Sequence, residues 1–392
     1  MKPLKKIAIL GASYLQKPLV LKAKEMGLET HVFAWRDGNV VEDICDFYYD
    51  ISILEKEAIL AECERIGIDG ITSIASDIAM PTVNFVAHTL GLIGNSLEST
   101  IISTDKFEMR KALTVAGVIC PRFAFFSEPN FTNDQQFTFP VIVKPTDRSG
   151  SRGVTKVYEQ AKVNEAIQKA LANSINGRAI VEEFIVGREF SVEGISVNGV
   201  HQILTITDKV TTGEPYYVEL EHHQPAQINR EQWKAIEEQT LKVLDALRIE
   251  NGPSHTEVFM TENGSVTIME SAGRMGGDWI GSHMVKASTG FDFLRATLKV
   301  ALGYFDLKDC FGKAKHQYSG VYYITPRPGR IKEVQINTDQ LSDIKDYHLI
   351  LENGVDVDAT LDGSGKRAAV LFYAGNTYAP VDRASQQLIN YK

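Results

Sequence analysis

The chain has 392 residues, enough for two or three domains, with 44% hydrophobic and 23% charged residues and a formal net charge of −9. That balance disfavours a non-specific nucleic-acid binder and suits an enzyme acting on small molecules; no stretch approaches the roughly 20 apolar residues that a membrane span needs. Cys45, Cys63, Cys120 and Cys310 are scattered without a Cys-x-x-Cys pair, so they read as buried thiols of a reducing cytoplasm.

"MKPLKKIAIL" could imitate a signal peptide, but its apolar run ends at once in "GAS", and we read it as a first strand. "LVLKAKEMG" reads as a helix with a glycine stop, "ETHVFAW" as a strand, "ILAECERIG" as a helix, and "DGITSIAS" leads into a further strand. This βαβ alternation predicts a parallel sheet. Gly11 lies where a dinucleotide loop would begin, yet "ASYLQKPL" lacks the further glycines of G-x-G-x-x-G, which argues against a dehydrogenase. Residues 103–118 read as a helix with Ser103 or Thr104 as N-cap and Gly117 as stop. "PVIVKP" is a strand, "DRSGSRG" a loop and "VTKVY" a returning strand. A helix follows near 161–173, then strands "AIVEEFI", "REFSVEGISV" and "HQILTITDKV", and a helix over 230–247. After a hairpin comes a helix over 291–302, and the tail from about 318 is strand-rich with turns at Pro326, Gly354 and Gly363.

The hairpin is "TEVFMTENGSVTIMESAGRMGG", residues 256–277. Asn263-Gly264 is a strong turn signal. A two-residue turn there sets Phe259 opposite Ile268, Thr261 opposite Val266 and Glu257 opposite Glu270. Like charges so placed destabilise a sheet, with Cβ atoms about 5 Å apart. A surface pair would cost little, but a divalent cation shared by the two carboxylates would turn repulsion into coordination, with phosphates as its other ligands. Phosphate-binding elements are present. In "VIVKPTDRSGSRGV" Lys144 offers a point charge, and the loop with Ser149, Gly150, Ser151 and Gly153 offers backbone N–H groups. This is not a P-loop, since G-K-[ST] is missing, and alone it reads equally as a polar hairpin turn. In "VEEFIVGREF", Glu182, Glu183, Phe184, Ile185 and Glu189 would bracket a nucleoside. Lys106 opens an early helix turn.

In this order these elements resemble the ATP-grasp superfamily, from about Lys5 to about Gly303, and within it the carboxylate–amine ligases that include L-amino acid ligases and biotin carboxylase. The resemblance implies a mixed α/β and α+β fold. A Rossmann-like preATP-grasp domain (1–95) would precede an ATP-grasp domain (96–306) with an inserted lid (about 120–181) and a strand-rich C-terminal region (307–392). It implies that Lys106 and Lys144 bind the phosphates of ATP and that the 147–153 loop closes over them. Within Glu182, Glu183, Phe184 and Ile185, backbone groups around Glu183 and Ile185 would hold adenine, Glu189 would hold ribose, and Glu257 and Glu270 would hold Mg²⁺, with Mn²⁺ as a substitute. Arg274 matches the family arginine that holds an acyl phosphate or substrate carboxylate. The family's Glu-x-Asn-x-Arg is here Glu270-Ser271-Ala272-Gly273-Arg274. Ala272 cannot ligate, so Ser271 or water would replace the asparagine, or a second Mg²⁺ would bind weakly. "TDKVTTGEPYYVELEHHQPA" carries Lys209, Tyr216, Tyr217, Glu219, Glu221, His222 and His223. In L-amino acid ligases the matching segment lines the amino-acid pocket, which makes Lys209 and His222 substrate candidates. The implied activity is ATP-dependent joining of a small carboxylate, an amino acid foremost, to an amine through an acyl phosphate, in the cytoplasm, without nucleic-acid or membrane partners. Carboxylase or formyl-phosphate chemistry, nucleotide binding without turnover, and homodimerisation stay open.

Overall fold

The computed structural model describes residues 4–134, 136–150, 152–214, 217–306, 310–326, 329–331, 334–336, 344–351, 355–357, 366–378 and 389–391. Ser151, Tyr216, Gly354 and Gly363 lie outside them. The first layer is a parallel sheet of β1 (Lys6–Leu10), β2 (Glu29–Ala34), β3 (Phe47–Asp50) and β4 (Gly70–Thr72), in the order β3-β2-β1-β4. β1 is buried almost throughout, as a strand covered on both faces must be. Helices α1 (Lys17–Glu25), α2 (Lys56–Ile66) and α3 (Met80–Thr89) belong to this α/β unit.

Two short helices lead into the next unit, α4 (Leu97–Thr104) and α5 (Lys106–Val115). The helix expected over 103–118 therefore starts later. Ser103 and Thr104 finish α4, and Asp105 caps α5 by accepting from the N–H groups of Phe107 and Glu108. A four-stranded antiparallel lid follows, made of β5 (Phe123–Phe126), β6 (Val141–Pro145), β7 (Thr155–Val157) and β8 (Ala179–Glu183), ordered β5-β8-β6-β7. Its helix α6 (Val163–Asn173) buries Val163, Ala166, Ile167 and Ala170, the i, i+3, i+4, i+7 stripe of a one-sided helix.

The largest layer is an eight-stranded sheet. It joins β9 (Arg188–Val197), β10 (Val200–Thr211), β11 (Glu219–Gln224), β12 (Gly252–Met260), β13 (Val266–Ala272) and β14 (Tyr318–Ile324) to strands Ala369–Gly375 and Ile344–Leu349. The sheet runs across the expected 306/307 boundary without a break, so the C-terminal strands extend the layer that carries the site. Helices α7 (Arg230–Ala246), α8 (Val285–Thr289) and α9 (Phe293–Ala301) lie between the strands of this part, and two two-stranded ribbons, Gly329–Arg330 with Asp356–Val357 and Val334–Ile336 with Ile389–Tyr391, stand beside them in sequence; α7 opens with an Asn229–Gln232 capping box.

The β12–β13 hairpin corrects the expected register. Val258 pairs with Ile268, Phe259 with Thr267 and Met260 with Val266. Only Gly264 has positive φ, at +81°, and Thr261 N–H donates to Ser265 O at 3.0 Å. The connection is thus a three-residue loop closed by a left-handed glycine, not a two-residue turn with both central residues at positive φ. A β-bulge between Glu257 and Val258 then restores the register, and Glu257 does face Glu270. The pairing of the glutamates was reached through two offsets that cancel.

Candidate active site

A cavity of about 760 Å³ opens between the lid and the eight-stranded sheet. Lys106, Lys144, Ser149, Gly150, Glu183, Phe184, Ile185, Glu189, Lys209, Glu257, Glu270 and Arg274 all line it. The sheet's alternation explains the convergence. Glu257 lies opposite Ser191 on β9, Ser191 lies opposite Thr207 on β10, and Lys209 lies opposite His222 on β11. Side chains two apart on a strand share a face, so Glu189, His255, Glu257, Glu270 and Lys209 point one way.

The two opposed glutamates are not left to repel each other. Glu270 Oε1 accepts from Lys106 Nζ at 2.9 Å, and Glu257 Oε1 accepts from Lys209 Nζ at 3.1 Å. Lys209 also touches Glu189 Oε1 at 2.5 Å. Burial opposes the charge on Lys209, but Glu189, Glu257 and Glu219 outweigh it and hold the ammonium well above the usual lysine value. Burial opposes the charge on Glu257 too, yet Lys209 and His255 keep its carboxyl well below the usual range. For Glu189 burial prevails, with Glu257 adding to it, and the carboxyl is raised despite Lys209. Burial would lower Lys106, but Glu270, Asp77 and Glu182 raise it overall. Lys106 further donates to Arg148 O at 2.7 Å, and its own N–H donates to Thr146 O at 2.8 Å, which ties α5 to the lid loop.

Several expected residues take other positions. Glu182 is 1% exposed and absent from the cavity wall. It accepts from Arg110 Nε at 2.7 Å and lies 2.6 Å from Lys144 Nζ. Its burial is outweighed by Arg110 and Lys144, which lower its carboxyl; it anchors a lysine rather than facing a nucleoside. Lys144 itself is lowered by burial, with Arg110 and Lys106 adding to that and Glu182 opposing it. Gly153 lies outside the wall, where a Cβ would meet Asn173 Cβ at 2.9 Å and Pro145 Cγ at 3.0 Å, so it serves lid packing. His222 is 1% exposed and also off the wall, on the same face as Lys209 and 3.9 Å from Asp278. Ser271 Oγ is bonded to Thr256 Oγ1 at 2.7 Å on the opposite face and cannot stand in for a metal-ligating asparagine. Ala272 is on the cavity face.

Arg274 is already engaged. Its Nε and Nη2 donate to the two carboxylate oxygens of Asp77 at 2.7 and 2.8 Å. Asp77 stands just beyond β4, where ligand crevices of parallel sheets open, and that position was available as a signal. Beyond the expected set stand Glu193 and Tyr378, together with His255, whose place two residues before Glu257 on β12 already puts it on the same face. His255 Nδ1 lies 2.5 Å from Glu193 Oε1. Burial lowers its pKa, but Glu193 and Glu257 raise it to about 9, so the imidazole is a cation at neutral pH. Tyr378 lines the cavity from the C-terminal region and donates to Asp208 Oδ2 at 2.6 Å; nothing in the sequence marks it.

Among the described residues no cluster of three or more His, Cys, Asp or Glu side chains forms a self-sufficient metal cage. The donor set still fits Mg²⁺, which is commonly held by one or two carboxylates plus substrate phosphates. Glu257 and Glu270 supply hard oxygens side by side on the cavity wall.

Residues 137–283 match the ATP-grasp domain. Alanine–anticapsin ligase of Bacillus subtilis (strain 168) is 26% identical over 339 residues, covering 77% of this chain and 69% of that one. The crystal structure of L-amino acid ligase from Bacillus licheniformis superposes with a TM-score of 0.87 at 22% identity over 100% of both chains. Phosphoribosylglycinamide synthetase from Anaerococcus prevotii gives 0.79 at 19% identity, again over 100% of both. These two structures establish the fold shared over the full chain. No helix among the described residues is long and apolar enough to cross a membrane.

Proposed function

From the match of residues 137–283 to the ATP-grasp domain, we propose that the chain is an ATP- and Mg²⁺-dependent ligase that joins a small carboxylate, an amino acid, to an amine. The observation that supports this most is the single cavity that gathers two lysines, the glycine loop, the paired glutamates and Arg274. A carboxylate is a poor electrophile. In the proposed reaction its oxygen attacks the γ-phosphorus of ATP, the bond to the β-phosphate oxygen breaks, and ADP leaves. The amine nitrogen then attacks the acyl carbon, the C–O bond to phosphate breaks, and inorganic phosphate departs while the amine proton passes to solvent.

The protein's part is positioning and charge neutralisation. Lys106 and Lys144 would neutralise the phosphates, with the loop that carries Ser149 and Gly150 lining the same cavity. Phe184 and Ile185 line the same cavity and suit a base, and Glu189 suits ribose hydroxyls. Glu257 and Glu270 would hold Mg²⁺, which supplies charge neutralisation on phosphate oxygens. Arg274 keeps donor capacity beyond its Asp77 fork and faces the acid substrate. The names of the relatives, an alanine–anticapsin ligase and an L-amino acid ligase, favour an amino acid as the acid. ADP release against a panel of amino acids, alone and in pairs, tests the reading. Release that needs an amino acid pair supports it. Release with bicarbonate or formate instead would move the chain to carboxylase or formyl-phosphate chemistry, and no release with any acid would leave a nucleotide-binding protein.

A further inference from the structure

The segment after Arg274 is built against its own backbone preferences. Asp278 and Trp279 both lie in the left-handed region, at φ +52° and +61°, where residues with side chains are uncommon. A π-helical turn, Ile280–Met284, follows at once. Such a conformation persists only where its surroundings over-determine it, and three parts of the chain do so here. From the N-terminal unit, Asp77 takes the Arg274 fork, and Ala75 N–H donates to Met275 O at 3.1 Å. From the central strands, Glu193 accepts from Gly276 N–H at 3.3 Å; no Cβ fits at Gly276, since it would sit 2.7 Å from His255 Nδ1. From the C-terminal strands comes Arg367. Its Nη1 and Nη2 donate to the two Asp278 oxygens at 3.3 and 3.2 Å, and its guanidinium lies 3.5 Å from the centre of the Tyr323 ring.

Polar groups pack around this pair, with His222 Nε2 3.9 Å from Asp278. Neither ring nitrogen of His222 has a hydrogen-bond partner, nor do the Tyr323 hydroxyl and the Trp279 indole N–H, although all three residues are at least nine-tenths buried. Buried polar atoms are nearly always satisfied. His222 and Tyr323 stand against the Asp278–Arg367 pair itself, so that pair organises the polar groups buried behind the turn.

We propose that Arg367 is a positioning residue. Through Asp278 it holds the turn 276–279, and so fixes Arg274 on the cavity wall, where the substrate that is not ATP would lie. The C-terminal strands therefore complete the active site. Without Arg367, Asp278 is a half-buried carboxylate short of its guanidinium partner, and relaxation of the left-handed turn, with displacement of Arg274, is its escape.

Two readouts test this, and only the second rests on the ligase reading. The first is backbone hydrogen exchange over 273–285 without ligand, in the parent and in Arg367→Gln. Exchange there should rise by about tenfold or more while Val141–Pro145 in the lid is unchanged. The second is steady-state kinetics, in which the acid or amine KM rises, or kcat falls, by about tenfold while the ATP KM stays within about twofold. Arg367→Lys keeps the charge but loses the fork, so it should fall between parent and Arg367→Gln. Asp278→Asn tolerates the left-handed backbone and keeps an acceptor, so it should lie nearer the parent than Asp278→Ala. Unchanged exchange in Arg367→Gln overturns the inference whatever the activity, and an equal rise in every KM overturns it in favour of general destabilisation. Faster exchange in a protein that releases no ADP with any acid supports the positioning role and refutes the ligase reading. If Arg367→Gln does not fold, parent-like exchange in Arg367→Lys and Asp278→Ala overturns the proposal.

Discussion

Glu182 and Glu183 are neighbours in one motif, and the structure assigns them opposite energetic weights. Glu182 is 1% exposed between Arg110 and Lys144, and Arg110 is itself fully buried, with Nη2 donating to Met269 O at 2.6 Å. Glu182→Gln leaves two buried cations without their carboxylate, and breaking a buried pair from one side costs roughly 3–5 kcal/mol. Glu183 pairs with Arg122 at 3.0 Å through side chains 28% and 53% exposed, so Glu183→Gln should cost about 0–1 kcal/mol. Urea unfolding of both variants without nucleotide, followed by circular dichroism, measures the contrast. The pH dependence has a definite sign. Burial already holds folded Lys144 below the usual lysine value, and losing Glu182 lowers it further. The unfolded chain then binds more protons than the folded one over a wider alkaline window, so stability rises with pH there. The Glu182→Gln deficit should therefore narrow from pH 7 toward about pH 10. Variants equally stable to within about 1 kcal/mol would refute the buried-anchor assignment.

Glu270→Gln should abolish Mg²⁺-dependent ADP formation while circular dichroism stays that of the parent; parent-like turnover would remove Glu270 from the metal site. Because Lys106 loses its carboxylate partner, this variant should not gain the thermal stability that relief of a bare Glu–Glu repulsion would bring. Arg274→Lys keeps a charge but breaks the fork on Asp77, and should lower kcat/KM for the best acid on the order of a hundredfold; a change under about threefold would place the carboxylate elsewhere. His255 gains stability from its charge. Its folded pKa, about 9 against 6.5, makes a contribution fully present below pH 6.5 and lost as pH rises through about 9. At 1.36 kcal/mol per pKa unit that contribution is about 3 kcal/mol. Urea midpoints in EDTA should fall between pH 6 and 9.5 in the parent, and His255→Gln should flatten that limb.

Much of the architecture was legible because strand and helix periods are local. β1, β2, β6, α6 and the β9–β10 pair came out close to their observed limits. β3 did not, since "FYYD" has no alternation in only four residues, and α3 has too broad an apolar surface to show a one-sided stripe. The hairpin shows how local chemistry misleads. Asn263-Gly264 invites a two-residue turn, yet the chain places only Gly264 at positive φ and recovers the glutamate pairing with a bulge. In the site, most residues carried by ordered motifs, from Lys106 to Arg274, come to line one cavity, while Glu182, Gly153 and His222 do not. What escaped was set by distant contacts. Asp77 meets Arg274 across 197 residues and Tyr378 meets Asp208 across 170, separations that no periodicity records. Glu182 and Glu183 are indistinguishable in sequence and differ only in which face of the lid edge each side chain occupies.

The acyl phosphate is the centre of the account, and isotope transfer tests it most directly. The best amino acid found in the ADP-release panel is labelled with heavy oxygen in its carboxylate and turned over with ATP, Mg²⁺ and the amine. The inorganic phosphate is then weighed by mass spectrometry. A carboxylate that attacks phosphorus leaves one heavy oxygen in each phosphate released, because that oxygen departs with it. Unlabelled phosphate formed in step with the ligated product would contradict the acyl phosphate.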